Sequence, residues 1–197
     1  MKTLKINSKQ NLFILSFLIL LFANACTHTG NKSKSAASTH TETTVATPKT
    51  DIYTAVLSDL IDVVKQHIAA QTDINEKEAM SGSTPLITAA TFGKKEIAKV
   101  LIDAGADLSI QNNDGATALH TAAFFCHVEI VQMLIDAKAD KTIKNNFGAT
   151  PRESVMGPFA EIKPVYVMLQ QQLAPMGLQI DLNEIEKTRP VIAMMLQ

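Results

Sequence analysis

Residues 81–107 read SGSTPLITAATFGKKEIAKVLIDAGAD, and residues 113–140 read NDGATALHTAAFFCHVEIVQMLIDAKAD. Laid over one another at an offset of 33, Thr84 falls on Thr117, Leu86 on Leu119, Gly82 on Gly115 and Asp107 on Asp140. A further step carries Thr117 to Thr150 and Gly115 to Gly148, and Pro85 returns two steps on as Pro151. Several independent markers sharing one period make coincidence a poor explanation. A fixed period of this size means stacked supersecondary units, each too small to bury its own apolar face.

The residue types inside each unit specify two helices. Pro85 presets φ in the first helical turn, where a missing amide does no harm. Small pairs, Ala89-Ala90 and Ala122-Ala123, let neighbouring helices approach closely. Ile97, Val100 and Leu101 then recur at helical spacing, and Ile130, Met133 and Leu134 repeat them, giving the second helix one apolar face. Gly105 after that helix suits a left-handed cap. Gln71 and Lys138 stand at the equivalent positions and would each be disfavoured there by about 1 kcal/mol relative to glycine.

A Thr-Pro-Leu start with a period of 33 resembles the ankyrin-repeat family, over residues 51 to about 172. The resemblance implies an all-α solenoid of helix-turn-helix units joined by β-hairpin loops. About four repeats are expected, two of them degenerate caps, with a short helical extension at the carboxy terminus. It also implies structural roles for Thr84, Pro85, Thr117, His120, Thr150 and Pro151, with His120 bonding its own Thr and nearby backbone.

The first unit, within residues 52–75, aligns at an offset of 34, which places one inserted residue between Asp73 and Gly82. Its polar Gln66 suits a cap that turns one face to water. The fourth unit starts regularly but departs at Gly157-Pro158. Its second helix is expected from about Glu161 to Gln172, with Pro164 tolerated only in the first turn. Residues 178–197 fall outside the period and suggest one or two short helices packed on the last repeat, the second opened by Pro190.

Upstream, Lys2, Lys5 and Lys9 precede an apolar run over residues 12–23 that only Ser16 interrupts. That is the order of a secretory signal, and the run is too short to span about 30 Å of hydrocarbon. Ala23-Asn24-Ala25-Cys26 resembles the lipobox of bacterial lipoproteins, although Leu usually stands where Ala23 does and a small residue where Asn24 does. The resemblance implies acylation of Cys26, and Thr27 beside it implies the outer-membrane sorting class. Ala23-x-Ala25 also suits ordinary signal peptidase, so a soluble periplasmic protein is the alternative. Residues 27–50 hold eleven Ser or Thr and almost nothing apolar, which predicts a disordered tether. The expected parts are therefore a signal over 1–25, the lipidated Cys26 and linker to 50, a repeat domain over 51–177 and an extension over 178–197.

Removing the signal leaves 15 basic and 19 acidic residues, an acidic balance that argues against nucleic acid as partner. With Cys26 consumed, Cys126 alone remains, and no internal disulfide framework exists. Cys126-His127, with His120 seven residues back, lacks the second ligand pair of a metal site. A soluble periplasmic thiol, redox or metal-using protein centred on Cys126 with His127 or His120 is an alternative reading, as is a passive stabilising subunit of an envelope complex. No catalytic constellation, cofactor or small-molecule substrate is expected. Five Phe survive removal of the signal. Phe92, Phe124 and Phe125 follow the Ala-Ala pairs, and Phe147 sits at a hairpin tip beside Asn146, equivalent to Asp114 beside Asn113. A fold with no need of large rings there is using them as anchors for a protein partner, together with Asp114, and with the Met80-Ser81, Asn112-Asn113 and Asn145-Asn146 regions forming much of the rim.

Overall fold

The computed structural model describes residues 46–197; the expected signal, Cys26 and the linker up to residue 45 lie outside the described residues. Asp51 accepts the Thr54 amide at 2.9 Å and starts α1, Ile52–Leu57, which is answered by α2, Ile61–Ala69. Thr84 and Thr117 cap α3, Pro85–Thr91, and α5, Ala118–Phe124, in the same way, and α4, Lys95–Asp103, and α6, Val128–Asp136, follow them. A side-chain oxygen at each of these starts satisfies an amide that the helix itself leaves unpaired.

Each turn from inner to outer helix is made by one left-handed residue: Asp59, Gly93 and Cys126, with φ of 59°, 66° and 59°. The amide that follows then reaches back to the inner helix, Lys94 to the Ala89 carbonyl and His127 to the Ala122 carbonyl, both at 2.9 Å. In the second repeat the residue must be glycine, because a Cβ on Gly93 would lie 2.7 Å from the His127 ring. The left-handed residue expected after each outer helix is also present, at Gln71, Gly105 and Lys138.

The core runs continuously through the stack. Ala89, Ala90, Ala122 and Ala123 are fully buried, and Leu86, Leu119, Ile97, Leu101, Ile130 and Leu134 close over them from adjacent units. Such a core is shared between neighbours, so no repeat owns its own interior.

The fourth unit departs from expectation. Its inner helix shrinks to a single 3-10 turn, Glu153–Val155, started by Thr150 with Glu153 bonding back to the Thr150 amide at 2.8 Å. The helix expected from about Glu161 to Gln172 exists as α7, Phe159–Leu173, but contributes no residue to the continuous core. Pro164 is its sixth residue, beyond the first turn, so its missing amide leaves the Ala160 carbonyl without the regular helix bond. A 3-10 turn, Ala174–Met176, follows, and then α8, Leu182–Met195. It is α8 that supplies the outer layer: Ile192 and Leu196 enter the core, and the helix lies from Cys126, near Ile185, to Lys141, at Gln197, parallel to α6. Pro190 lies inside this helix and does not open a separate one.

No β-strand forms among the described residues. The hairpins are reduced to turns, each closed by an outer backbone bond, Asn112 to Ala116 at 2.9 Å and Asn145 to Ala149 at 3.0 Å, with an inner one from Gly115 to Asn112 and from Gly148 to Asn145, both at 2.9 Å. In the first tip the corresponding bond spans one residue more, from Glu78 to Ser83, which locates the insertion. Lys138, an exposed residue at φ 66°, is one of four non-glycine residues held in the left-handed region among the described residues. Lys138→Gly is expected to stabilise the fold by about 1 kcal/mol. The melting temperature should rise by a few degrees; no rise would show that the lysine carries no backbone penalty.

Candidate functional site

The four phenylalanines do not share one open face. Phe92 ends α3 half-buried, and Phe147 is 55% exposed at its tip. Phe125 is only 8% exposed, edge-on to Phe124 at 5.2 Å and beside the His127 ring at 6.2 Å. Phe124 lies under Tyr166 of α7, the rings stacked with centroids 4.6 Å apart. Only Phe147 stands exposed; Phe92 and Phe124 are each half-buried, Phe124 with its ring stacked on Tyr166, and Phe125 is packed inside the molecule. No local sequence signal marked this, because it follows from the tertiary placement of the helix after the fourth repeat start, which stays out of the continuous core and sets Tyr166 on Phe124.

The contact over Phe124 is built from three groups. Tyr166 donates its hydroxyl to the Phe124 carbonyl at 2.6 Å and accepts from Arg189 Nη1 at 3.1 Å. Arg189 Nη2 donates to the Gly157 carbonyl at 3.2 Å. Arg189 is 4% exposed and Tyr166 fully buried, and burial pushes the Tyr166 hydroxyl up to about 12 against the opposing pull of the guanidinium. Neither residue was singled out from sequence. Arg189 was findable as the one cation on the apolar face that Ile185, Ile192 and Leu196 define.

The hairpin tips form a second, polar framework. Asn113 donates its amide to Ser81 O at 2.8 Å and its side chain to Met80 O at 3.0 Å. One period later Asn146 repeats both bonds to Asp114 O and Asn113 O, each at 2.9 Å. These rungs draw the tips so close that a Cβ on Gly82 would lie 2.4 Å from Asn113 Oδ1, and one on Gly115 2.6 Å from Asn146 Oδ1. Gly148, with no tip after it, has nothing within 4 Å. Asn113 and Asn146 are thus committed to holding the tips in line, while Met80, Asp114 and Phe147 project from them, Met80 at 78% exposure.

His120 is where the repeat pattern put it. Its Nδ1 accepts the Thr117 amide at 3.2 Å, which leaves Nε2 to carry the proton and donate to the Ala149 carbonyl at 3.1 Å. The ring thus closes the cap of its own helix and ties it to the next unit. His127 bonds the Thr91 carbonyl in the preceding unit at 3.3 Å. Burial holds both imidazoles below the usual value of 6.5. Cys126 has its thiol pushed up to about 11 by burial, with Arg189 opposing, and its sulfur faces the Ile185 carbonyl at 3.8 Å. That environment disfavours a thiolate, and the neighbouring His127 ring is engaged elsewhere. Among the described residues no three His, Cys, Asp or Glu side chains gather as metal ligands.

Because both histidines are neutral in the fold, the unfolded chain binds protons first as pH falls. Their contribution to stability is complete above about pH 6.5 and is lost as pH falls from that unfolded value through the lowered values of the folded rings. The melting temperature should fall between about pH 7 and pH 5, and His120→Gln should flatten that fall. Equal slopes in the two proteins would remove His120 from this role.

The comparisons with known proteins agree with this architecture. The family model for ankyrin repeats (three copies) matches residues 52–145. Among 434 matching chains of solved structures, so many that the fold alone singles out no partner, is the crystal structure of the ankyrin repeat domain of Bcl-3, described as a unique member of the IkappaB protein family. It shares 27% identity over 52% of this chain with a TM-score of 0.51, and this chain spans 45% of that one. No curated protein matches the sequence significantly. Ankyrin repeats indicate a protein–protein interaction module, and ankyrin-repeat proteins are generally such modules rather than enzymes. The chain carries these repeats over residues 52–145 and has the ankyrin-repeat fold.

Proposed function

We propose that this chain is an exported bacterial lipoprotein, held through acylated Cys26 at the periplasmic face of the outer membrane, whose repeats bind another envelope protein. The observation that carries the binding surface is the tip ridge. Asn rungs fix its backbone, while Met80 and Phe147 stand out from it at 78% and 55% exposure. A rigid polar frame presenting large apolar side chains loses little conformational entropy on binding, which favours a partner of matching shape. Phe92, half-buried at the end of α3, extends the surface toward the groove of the second repeat.

Tethering rests on the sequence around Cys26. A signal of this order, followed by a polar stretch, suits a domain held away from a bilayer. Several acyl chains on Cys26 would make the anchor effectively permanent.

Cys26→Ser is expected to move the protein from the membrane to the soluble fraction of fractionated cells; retention at the membrane would sink the anchor. Phe92→Ser combined with Phe147→Ser is expected to reduce partner recovery by cross-linking in the native envelope at least tenfold, a loss of about 1.4 kcal/mol or more. The melting temperature should stay within a few degrees, and a large drop would assign these rings to packing.

A further inference from the structure

We propose that α7 is a detachable strap occupying the carboxy-terminal end of the inner-helix face, and that the surface beneath it receives a partner helix presenting a tyrosine. The proposal rests on the protein-binding reading and deepens it by naming what competes for the site and what displaces it.

The stack is complete without α7. Ile192 and Leu196 of α8 fill the outer layer, whereas α7 adds nothing to the continuous core and buries only Tyr166 of its fifteen residues. The strap is also poorly held as a helix. No side chain caps its start, and Pro164 removes a regular backbone bond inside it. Its ends are marked by Gly157, whose carbonyl is held by Arg189 at 3.2 Å, and by Gly177 at φ 94°, between the buried Val155 and Leu178, so release of the strap means giving up the Arg189 bonds to Tyr166 and Gly157 together. Elements with few buried contacts open locally at a small fraction of the cost of unfolding.

The site under the strap is chemically selective. The Tyr166 hydroxyl gives its proton to the Phe124 carbonyl and accepts one hydrogen bond from Arg189. A hydroxyl does both; phenylalanine would leave a buried carbonyl and a buried guanidinium short of partners, and a carboxylate would repel the carbonyl. The ring above that hydroxyl stacks on Phe124. Whatever replaces the strap therefore needs an aromatic hydroxyl on a helix, and the fraction of time the strap is open scales the partner's apparent affinity.

The test uses the full mature chain and a labelled synthetic peptide of residues 157–178. Tyr166→Ala should speed cleavage by a glutamyl endopeptidase at the exposed Glu161 at least tenfold, with Tyr166→Phe intermediate, while the melting temperature falls far less than in Leu134→Ala. The peptide should bind the Tyr166→Ala chain at least tenfold more tightly than wild type, and its Tyr166→Phe version should bind at least tenfold more weakly. Cleavage at the wild-type rate, a melting loss equal to that of Leu134→Ala, or no preference for tyrosine in the peptide would each overturn the strap. None of these readouts depends on the tip residues, so failure here leaves the tip surface standing, and failure of partner recovery on changing Phe92 and Phe147 leaves the strap standing.

Discussion

Ile192 and Leu196 burying themselves against the third repeat is the contact on which the arrangement at the carboxy-terminal end depends. A repeat stack exposes an apolar face at each end unless something covers it, because each unit borrows half its interior from a neighbour. The fourth unit starts correctly at Thr150-Pro151 but has only one 3-10 turn of inner helix, too little to close the stack alone. Once α8 takes the outer position, the chain between Val155 and Leu178 has no core left to join. It is held instead at the Phe124 end of α5 by the buried Tyr166, and to α8 by Arg189, which bonds Tyr166 and the Gly157 carbonyl.

The same reasoning separates two kinds of surface. Along the tips, backbone and Asn side chains bond from unit to unit, so spacing and direction are set before any partner arrives. Glycine is required at Gly82 and Gly115 because the next Asn crowds against them. At the far end of the inner helices, by contrast, the chain covers its own aromatic rings, Phe124 under Tyr166 and Phe125 against Phe124. One surface is presented and the other is occupied. Histidines serve the framework in both places, His120 closing a cap and His127 spanning two repeats, and both do so as neutral rings.

Much of the fold was legible because its signals are local and periodic. Thr84 and Thr117 as caps, Pro85 in the first turn, the Ala pairs at the close approach and the left-handed positions at Gln71, Gly105 and Lys138 each follow from residue type within one unit. The candidate site was legible only in part. Phe147 keeps the exposure that its place in the repeat suggests and Phe92 part of it, whereas Phe124 has its ring covered by Tyr166 from a helix about forty residues downstream and Phe125 is buried beside it. Asn113 and Asn146 read as rim residues, yet their amides are used between tips, a bond that only the stacking distance creates.

The sequence by itself determined the repeat, its period and the chemistry of each turn, since those depend on contacts within about one period of chain. Only the tertiary structure decided which late helix completes the stack. Two candidates, Phe159–Leu173 and Leu182–Met195, both carry apolar residues and a proline. The choice falls to α8 because it places Ile192 and Leu196 in the shared core at once. That outcome is a competition between distant segments for one apolar surface, and no local pattern records the winner.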